Sequence, residues 1–401
     1  MNHARDDRIQ PGIFFRSGKQ PPPCWRLLLL NIAPAASATI AREALGRVHT
    51  LLAGLVDGEI PELEGQGDDG VSATARTFED LTWLWGFGRR IFDSSHHDPP
   101  LTTAPRPEYL SYLPTEGEPF PKLPRAAGVD RWSETDVAIQ FTASLQAAVN
   151  RAAVEVWKLI EDAGLPLSLV ASFDGFGRPD GRGWLEFHDG VSNMAAHQRR
   201  VALEATGEPA WMAGGTYMVF LRCRLDLTAW RSLDRPDQEL VVGRDKLSGN
   251  PVTATVRDDG GRIYPIAASL PVSAGAHLDP PQGTDPLIEA SHIHRANQSR
   301  ASPHAPAAWR IFRQGYDFLE SIDSDGPMLG LNFVSFQASL ASLQHILHLP
   351  GWLADVNFGG SARPAAGEPG VPTFVTVLDG GFYAVPPVAG AFPGASLFTA
   401  C

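Results

Sequence analysis

Apolar stretches along the chain alternate with polar, Pro-rich and Gly-rich ones, and the spacing inside each stretch predicts its local structure. Trp25 to Ile32 is largely apolar and reads as a buried strand, and Ile40 to Val56 then carries apolar residues at helical spacing. Asp57 to Ala75 is rich in Gly, Asp and Glu and reads as a solvated loop, followed by an apolar and aromatic strand over Leu81 to Phe87. The density of Pro from Asp98 to Val129 excludes regular helix and central strand there. Val137 to Phe141 and Ala143 to Ala163 repeat the order strand then helix, with Gly164 and Pro166 as the stop signal. Thr216 to Leu225 reads as a strand, Asp226-Leu227-Thr228 opens a helix containing Trp230, and Leu329 to Phe336 with Gln337 to Leu349 gives the pattern once more. Gly380-Gly381 reads as a turn near the C-terminus.

Two of these junctions look alike. Phe141-Thr142-Ala143-Ser144-Leu145-Gln146 and Phe336-Gln337-Ala338-Ser339-Leu340-Ala341 both stand where a strand gives way to a helix, which suggests two halves of similar architecture. A length of 401 residues fits two domains, divided in the polar stretch around 195–212. No Gly-rich phosphate loop follows any predicted strand, so a nucleotide-binding parallel sheet lacks its site. The expected fold class is therefore α+β, each half an antiparallel sheet with helices on one face.

Composition narrows the function classes. Apolar residues make up 43% and charged residues 19%, a globular balance. A formal charge of −12 disfavours nucleic acid and anionic membrane as partners. The run from Leu27 to Ile32 is too short to span a bilayer, and no apolar segment follows the charged first residues, so a soluble, cytoplasmic protein is expected. Cys24, Cys223 and Cys401 are odd in number and far apart, which points to unpaired thiols.

Three polar groups carry the candidate chemistry. His292, in Ser291-His292-Ile293-His294-Arg295, is one of twelve histidines and stands beside a basic flank that suits an anionic cofactor edge. The plain alternative is a polar loop after Pro286, with His294 its equal. Asp189, before Gly190, is a turn signal or a carboxylate set by Phe187 in an apolar surrounding for proton transfer. Arg313, between Trp309 and Phe318, offers a partly desolvated positive charge, with Arg310 as competitor. A histidine for a haem iron, with a carboxylate and a guanidinium for peroxide, is the minimum kit of a haem peroxidase.

Together these stretches resemble the dye-decolorising peroxidase family. The resemblance runs from Trp211-Met212-Ala213-Gly214-Gly215-Thr216 through Val242-Gly243-Arg244-Asp245-Lys246, the His292 segment, Arg310 to Tyr316 and Gly330-Leu331-Asn332-Phe333, ending near Gly380-Gly381-Phe382-Tyr383. It implies two ferredoxin-like domains, 1–205 and 206–401, antiparallel sheets with peripheral helices, in the dimeric alpha-beta barrel-like superfamily. The first would carry the Asp189 turn near its end and the second would bind haem b. It further implies His292 as the proximal iron ligand, Asp189 and Arg313 as the distal catalytic pair, Leu331 and Phe333 as distal lining, and Arg244 and Arg295 as cofactor contacts. Asp355 or Asp379 would orient the proximal imidazole. The expected partners are hydrogen peroxide and a bulky phenolic or dye-like aromatic reductant, and a homo-oligomer is compatible. A haem-handling protein with weak catalysis, or a haem-free scaffold, are the competing readings.

Two departures from the family pattern stand out. The Gly-x-x-Asp-Gly turn reads Glu186-Phe187-His188-Asp189-Gly190, and a glutamate there would be strained if the position needs positive φ. After the proximal histidine the usual arginine is His294, and the usual Asn-Pro-Arg is Asn297-Gln298-Ser299, with Arg300 one place late.

Overall fold

A computed structural model describes residues 8–13, 21–59, 78, 80–111, 134–191, 193, 199, 203–205, 207, 209–269, 285–296, 310–324, 326–347 and 374–398. The first apolar run is strand β1 (Cys24–Ile32), and Ser37 caps the helix that follows, α1 (Ala38–Val56), by accepting from the Ile40 N–H. Strands β2 (Thr82–Phe87) and β3 (Val137–Ala143), helix α2 (Gln146–Asp162) and strand β4 (Leu167–Phe176) complete the N-terminal half. The C-terminal half opens with β5 (Thr216–Leu225), α3 (Leu227–Arg231) and α4 (Arg235–Val242). The hairpin β6 (Val252–Arg257) and β7 (Ile263–Ala267) and the short helices α5 (Pro286–Glu289) and α6 (His292–Ala296) follow. Then come β8 (Phe312–Asp323), β9 (Gly326–Gln337), α7 (Leu340–Leu347) and β10 (Val375–Val385).

All strands except β6 and β7 join one closed antiparallel barrel, in the order β1-β3-β2-β10-β5-β9-β8-β4. Within it β4-β1-β3-β2 and β10-β5-β9-β8 each place a half's strands in the order fourth, first, third, second. The two sheets meet edge to edge, through Ala384 with Phe87 on one side and Phe176 with Asp317 on the other. The two matching junctions of the sequence do fall at the β3–α2 and β9–α7 connections.

Strand parity sorts the core. On β1, Trp25, Leu27 and Leu29 point into the barrel with Phe220, Phe312, Tyr316 and Phe336, while Leu28, Leu30 and Ile32 point out to α1 and α2. The amphipathic faces of those helices, among them Leu45, Val48 and Leu52 of α1 and Val149, Val156 and Ile160 of α2, bury against that outer layer. Fully burying a side chain of this size is worth roughly 1.5–3 kcal/mol, so the N-terminal outer face is spent on stability. Some polar groups inside the barrel pair with one another, while Trp25 Nε1 and the Tyr316 hydroxyl are buried without a hydrogen-bond partner. Gln140 donates to Gln314, and Arg222, 1 % exposed, reaches Asn332 at 2.6 Å, pairs with Glu320 and lies 3.7 Å over the Phe318 ring.

One sequence expectation is overturned here. Gly380-Gly381 is not a turn but part of β10, paired with Leu221 and Phe220 next to a register shift. A Cβ at Gly380 would run into the Phe220 carbonyl oxygen, so the glycine answers to close backbone approach. Strands β4 and β8 were not expected from periodicity. Cys24 and Cys223 are free thiols, and Cys401 lies outside the described residues. Among the described residues no helix is long and apolar enough to cross a membrane.

Candidate functional site on the outer face of the C-terminal sheet

The outer face of the C-terminal sheet is closed differently from that of the N-terminal one. Helix α7 covers part of it through Leu340, Leu343 and Leu347, in a cluster with Val219, Leu221, Cys223 and Phe382. The remainder carries residues of chemical interest. On β8, Phe312, Gln314, Tyr316 and Phe318 are buried on the barrel side, so Arg313, Gly315 and Asp317 project from the other. Across the ladder these three face Ser335, Phe333 and Leu331 of β9. Directly opposed residues share a face, so Arg313, Leu331 and Phe333 stand together as the sequence led us to expect.

A hairpin-like segment, 178–191, lies along this strip and brings Asp189 to it. Its Asp189 N–H donates to the Gly181 carbonyl at 2.8 Å, and Asp189 Oδ1 accepts from the Gly190 N–H at 2.7 Å. Oδ2 is left to face β8. It sits where a Cβ on Gly315 would be, 2.7 Å from that position, while Leu331 Cδ1 is 3.3 Å from it. Any side chain at 315 would thus compete with the carboxylate for the same space.

Arg313 is fixed from the same segment. Its Nη2 donates to the Val191 carbonyl at 3.2 Å, and its backbone exchanges hydrogen bonds with the Asn193 side chain at 3.2 and 2.7 Å. Arg310, the competing arginine, precedes the strand. A few residues along, the Trp184 indole donates to the Phe318 carbonyl at 3.1 Å. The segment is therefore stitched to β8 from residue 313 to 318. Its other side is anchored by Leu185 and Phe187, which pack with Trp230, Val241 and Phe374; the Phe187 and Trp230 rings meet edge to face.

Glu186 adopts φ 64°, so this position does require left-handed backbone, and glutamate holds a conformation that favours glycine. Arg178 grips its carboxylate from Nη1 at 2.9 Å and Nη2 at 3.2 Å, and Arg182 donates to its carbonyl at 2.6 Å. His188 faces away from β8. Its Nε2 accepts from Arg182 Nη2 at 2.8 Å, since a guanidinium has no acceptor, and its ring packs on Gly249. Arg182 also reaches the Lys246 and Leu247 carbonyls, tying this segment to the 245–249 loop.

His292 begins α6 and is half-buried. Helix α4 ends at Gly243, φ 88°, whose missing Cβ lets α6 approach: a Cβ there would lie 2.5 Å from Ser291 Oγ and 2.7 Å from Ile293 Cγ1. Ala296, one turn after His292 and on the same helix face, packs against the cluster of Val219, Leu221 and α7, which Leu331 and Phe333 also border. His294 is turned back to the end of α5, with Nδ1 3.0 Å from the Glu289 carbonyl. Arg244 is buried and donates to the Gly249 carbonyl at 3.0 Å. Arg295 is placed by its backbone in α6, and Asp379 by its backbone pairing with Arg222. Asp355 lies outside the described residues.

Sequence reasoning missed one group here, Asp317. It is 5 % exposed, and burial, followed by the neighbouring Asp189 charge, pushes its carboxyl up to about 7. No local signal in the sequence marks it, because β8 itself is not legible from periodicity.

The antiparallel barrel thus carries a carboxylate and a guanidinium together on the outer face of its C-terminal sheet. The Dyp-type peroxidase C-terminal family model matches residues 180–389, and the chain belongs to that family. It is 30% identical over 228 residues to a dye-decolorizing peroxidase of Thermobifida fusca, covering 53% of this chain and 48% of the relative. It is 26% identical over 221 residues to a deferrochelatase of Shigella flexneri, covering 51% and 48%. These matches span about half the length of the curated relatives. The fold is shared with a DyP-type peroxidase from Streptomyces coelicolor, at TM-score 0.69 and 23% identity over 98% of this chain and 96% of that one. It is also shared with ferric DtpA from Streptomyces lividans, at TM-score 0.68 and 22% identity over 97% of each.

Proposed function

We propose that the chain is a haem-dependent peroxidase that reduces hydrogen peroxide and oxidises bulky phenolic or dye-like donors. The single observation that carries this reading is Asp189 Oδ2 seated over Gly315, beside Leu331 and on the strip that holds Arg313. The repeated strand order of the two halves supports two ferredoxin-like domains, and free Cys24 and Cys223 suit a reducing cytoplasm.

The residues fit a haem b. An imidazole on α6, an apolar strip that includes Leu331 and Phe333, and a carboxylate and guanidinium on that same strip are the donor set such a cofactor needs. His292 would ligate the iron, Arg295 and Arg244 would lie at the haem edge, and Asp379 or Asp355 would orient the imidazole. When bound, haem supplies the electron transfer that splits peroxide and later oxidises the donor.

The chain's own residues handle protons and charge. With Oδ1 held by the Gly190 N–H, Oδ2 of Asp189 is the atom that takes a proton from one peroxide oxygen and returns it to the other. Arg313, fixed by the Val191 carbonyl, stabilises the anion that develops meanwhile. Leu331 and Phe333 give that interaction an apolar flank.

The test is the visible absorption spectrum of protein produced with ample haem, before and after one equivalent of peroxide. A haem band that changes on peroxide addition and returns when a phenolic donor follows is the expected result. A band that does not respond would favour haem handling, a reading that draws on the Shigella flexneri relative's name and on Glu186 at the turn. No band would refute both.

A further inference from the structure

Asp317 is a second carboxyl at this site. It projects from the same face of β8 as Arg313 and Gly315, opposite Leu331, at the seam where Phe176 of β4 meets β8. The 178–191 segment closes over it. Gly183 passes so near that a Cβ there would lie 3.5 Å from Oδ1 and 3.8 Å from Oδ2, and the Trp184 main-chain N–H donates to the carboxyl. The charged groups that face it are Asp189, Glu186 and Arg178. Arg178 is already engaged, with Glu186 at 2.9 Å and Asp180 at 2.7 Å, so no dedicated cation for Asp317 is found among the described residues. A carboxyl 5 % exposed, with another carboxylate as neighbour, is favoured in its neutral form.

We propose that Asp317 is a proton-positioning partner of Asp189: the buried carboxyl holds or releases a proton and thereby sets the charge against which Asp189 works. While Asp317 is neutral, the site carries one carboxylate charge beside Arg313, and Asp189 acts as the base. Once Asp317 loses its proton to solvent, a second negative charge stands two residues from Gly315. That charge offsets part of the Arg313 field in which Asp189 works. Peroxide reduction should then fall on the alkaline side, with the inflection set by Asp317, pushed up to about 7. The catalytic part of this inference rests on the peroxidase reading; the electrostatic coupling of the two carboxyls does not.

The experiment is an infrared titration of the full chain from about pH 5 to about pH 9, spanning the ordinary and raised carboxyl ranges, in wild type, Asp317→Asn and Asp189→Asn. A protonated-carboxyl band should disappear as pH rises through neutrality in wild type and be missing in Asp317→Asn. In Asp189→Asn it should disappear at lower pH, because a like charge has been removed. Absence of the band in wild type, or an unchanged midpoint in Asp189→Asn, overturns the proposal. Because Asp189→Asn leaves Asp317 in place, this test survives even if Asp317→Asn folds poorly. The companion measurement is the pH profile of peroxide consumption, whose neutral inflection should vanish in Asp317→Asn; an identical profile overturns the link to Asp189. Wild type that consumes no peroxide at any pH would refute the peroxidase reading, while the infrared midpoints would still decide the carboxyl pair.

Discussion

Replacing Gly315 with alanine separates the chemistry of the site from the stability of the barrel. The new Cβ would lie 2.7 Å from Asp189 Oδ2 and 3.3 Å from Leu331 Cδ1. Ordinary contact needs about 3.5 Å, so Oδ2 must retreat by roughly 0.8 Å. The atom that yields is the far end of a side chain, and the strain is on the order of 1 kcal/mol. Alanine in a strand returns about 0.5–1 kcal/mol relative to glycine. Unfolding stability should therefore change by less than about 1 kcal/mol. A shift of about 1 Å at the proton-transfer group costs up to roughly 100-fold in rate, or about 2–3 kcal/mol. Initial rates of peroxide consumption with a phenolic donor, measured beside denaturant unfolding, read both quantities. In an Asp189→Ala background the same substitution should have little further effect on rate, because the clash has lost its partner. Wild-type turnover in Gly315→Ala, or an equal loss in both backgrounds, would refute the placement of Asp189 as the working base.

Four further outcomes are expected. His292→Ala should lose stable haem incorporation, read as the haem-to-protein absorbance ratio of purified protein; normal occupancy would remove it as ligand. Gly380→Ala should cost at least about 2–3 kcal/mol in denaturant unfolding, because its Cβ meets backbone at Phe220 and Leu221 rather than a movable side-chain end. Glu186→Gly relieves about 1–2 kcal/mol of left-handed strain and loses a half-exposed ion pair worth up to about 1 kcal/mol, so stability should stay within about 1 kcal/mol; Glu186→Ala, which keeps the strain without the pair, should be the less stable variant. For Asp317 the raised proton affinity of the native state means stability is highest below roughly pH 4 and is lost as pH rises to about 7. Asp317→Asn should therefore gain stability over wild type above neutrality, by at most about 4 kcal/mol, with little gain in acid.

The sequence was most legible where one physical signal dominated. Strands β1, β2, β3 and β5 and helices α1 and α2 have apolar residues at a period that one buried face dictates, and the structure places them within a few residues of expectation. Strand β4 escaped because Leu169 and Val170 are exposed, which breaks the alternation. Strand β8 escaped because its inward positions include Gln314, whose polar group is satisfied by Gln140 across the barrel, a match no local window contains. Strand β10 hid behind Gly380-Gly381. Asp189, Arg313, Leu331 and Phe333 were legible by resemblance, and the structure gathers them on one strip. The strain at Glu186 was visible as an odd residue in a familiar turn. Asp317 was not, because its burial is made by Gly183 and Trp184, more than a hundred positions earlier in the chain.

The two-residue repeat of β8 assigns different tasks to even and odd positions. Phe312, Gln314, Tyr316 and Phe318 build the barrel; Arg313, Gly315 and Asp317 face the candidate chemistry. Substitutions on one series can accumulate with little consequence for the other, which gives the strand room to retune its chemistry while the scaffold stays intact. A single inserted or deleted residue has no such freedom. It would exchange the two series at a stroke, turning an arginine and an aspartate into the barrel and two or three aromatic rings out of it. Along this strand a substitution acts on one face, whereas a change of length acts on both.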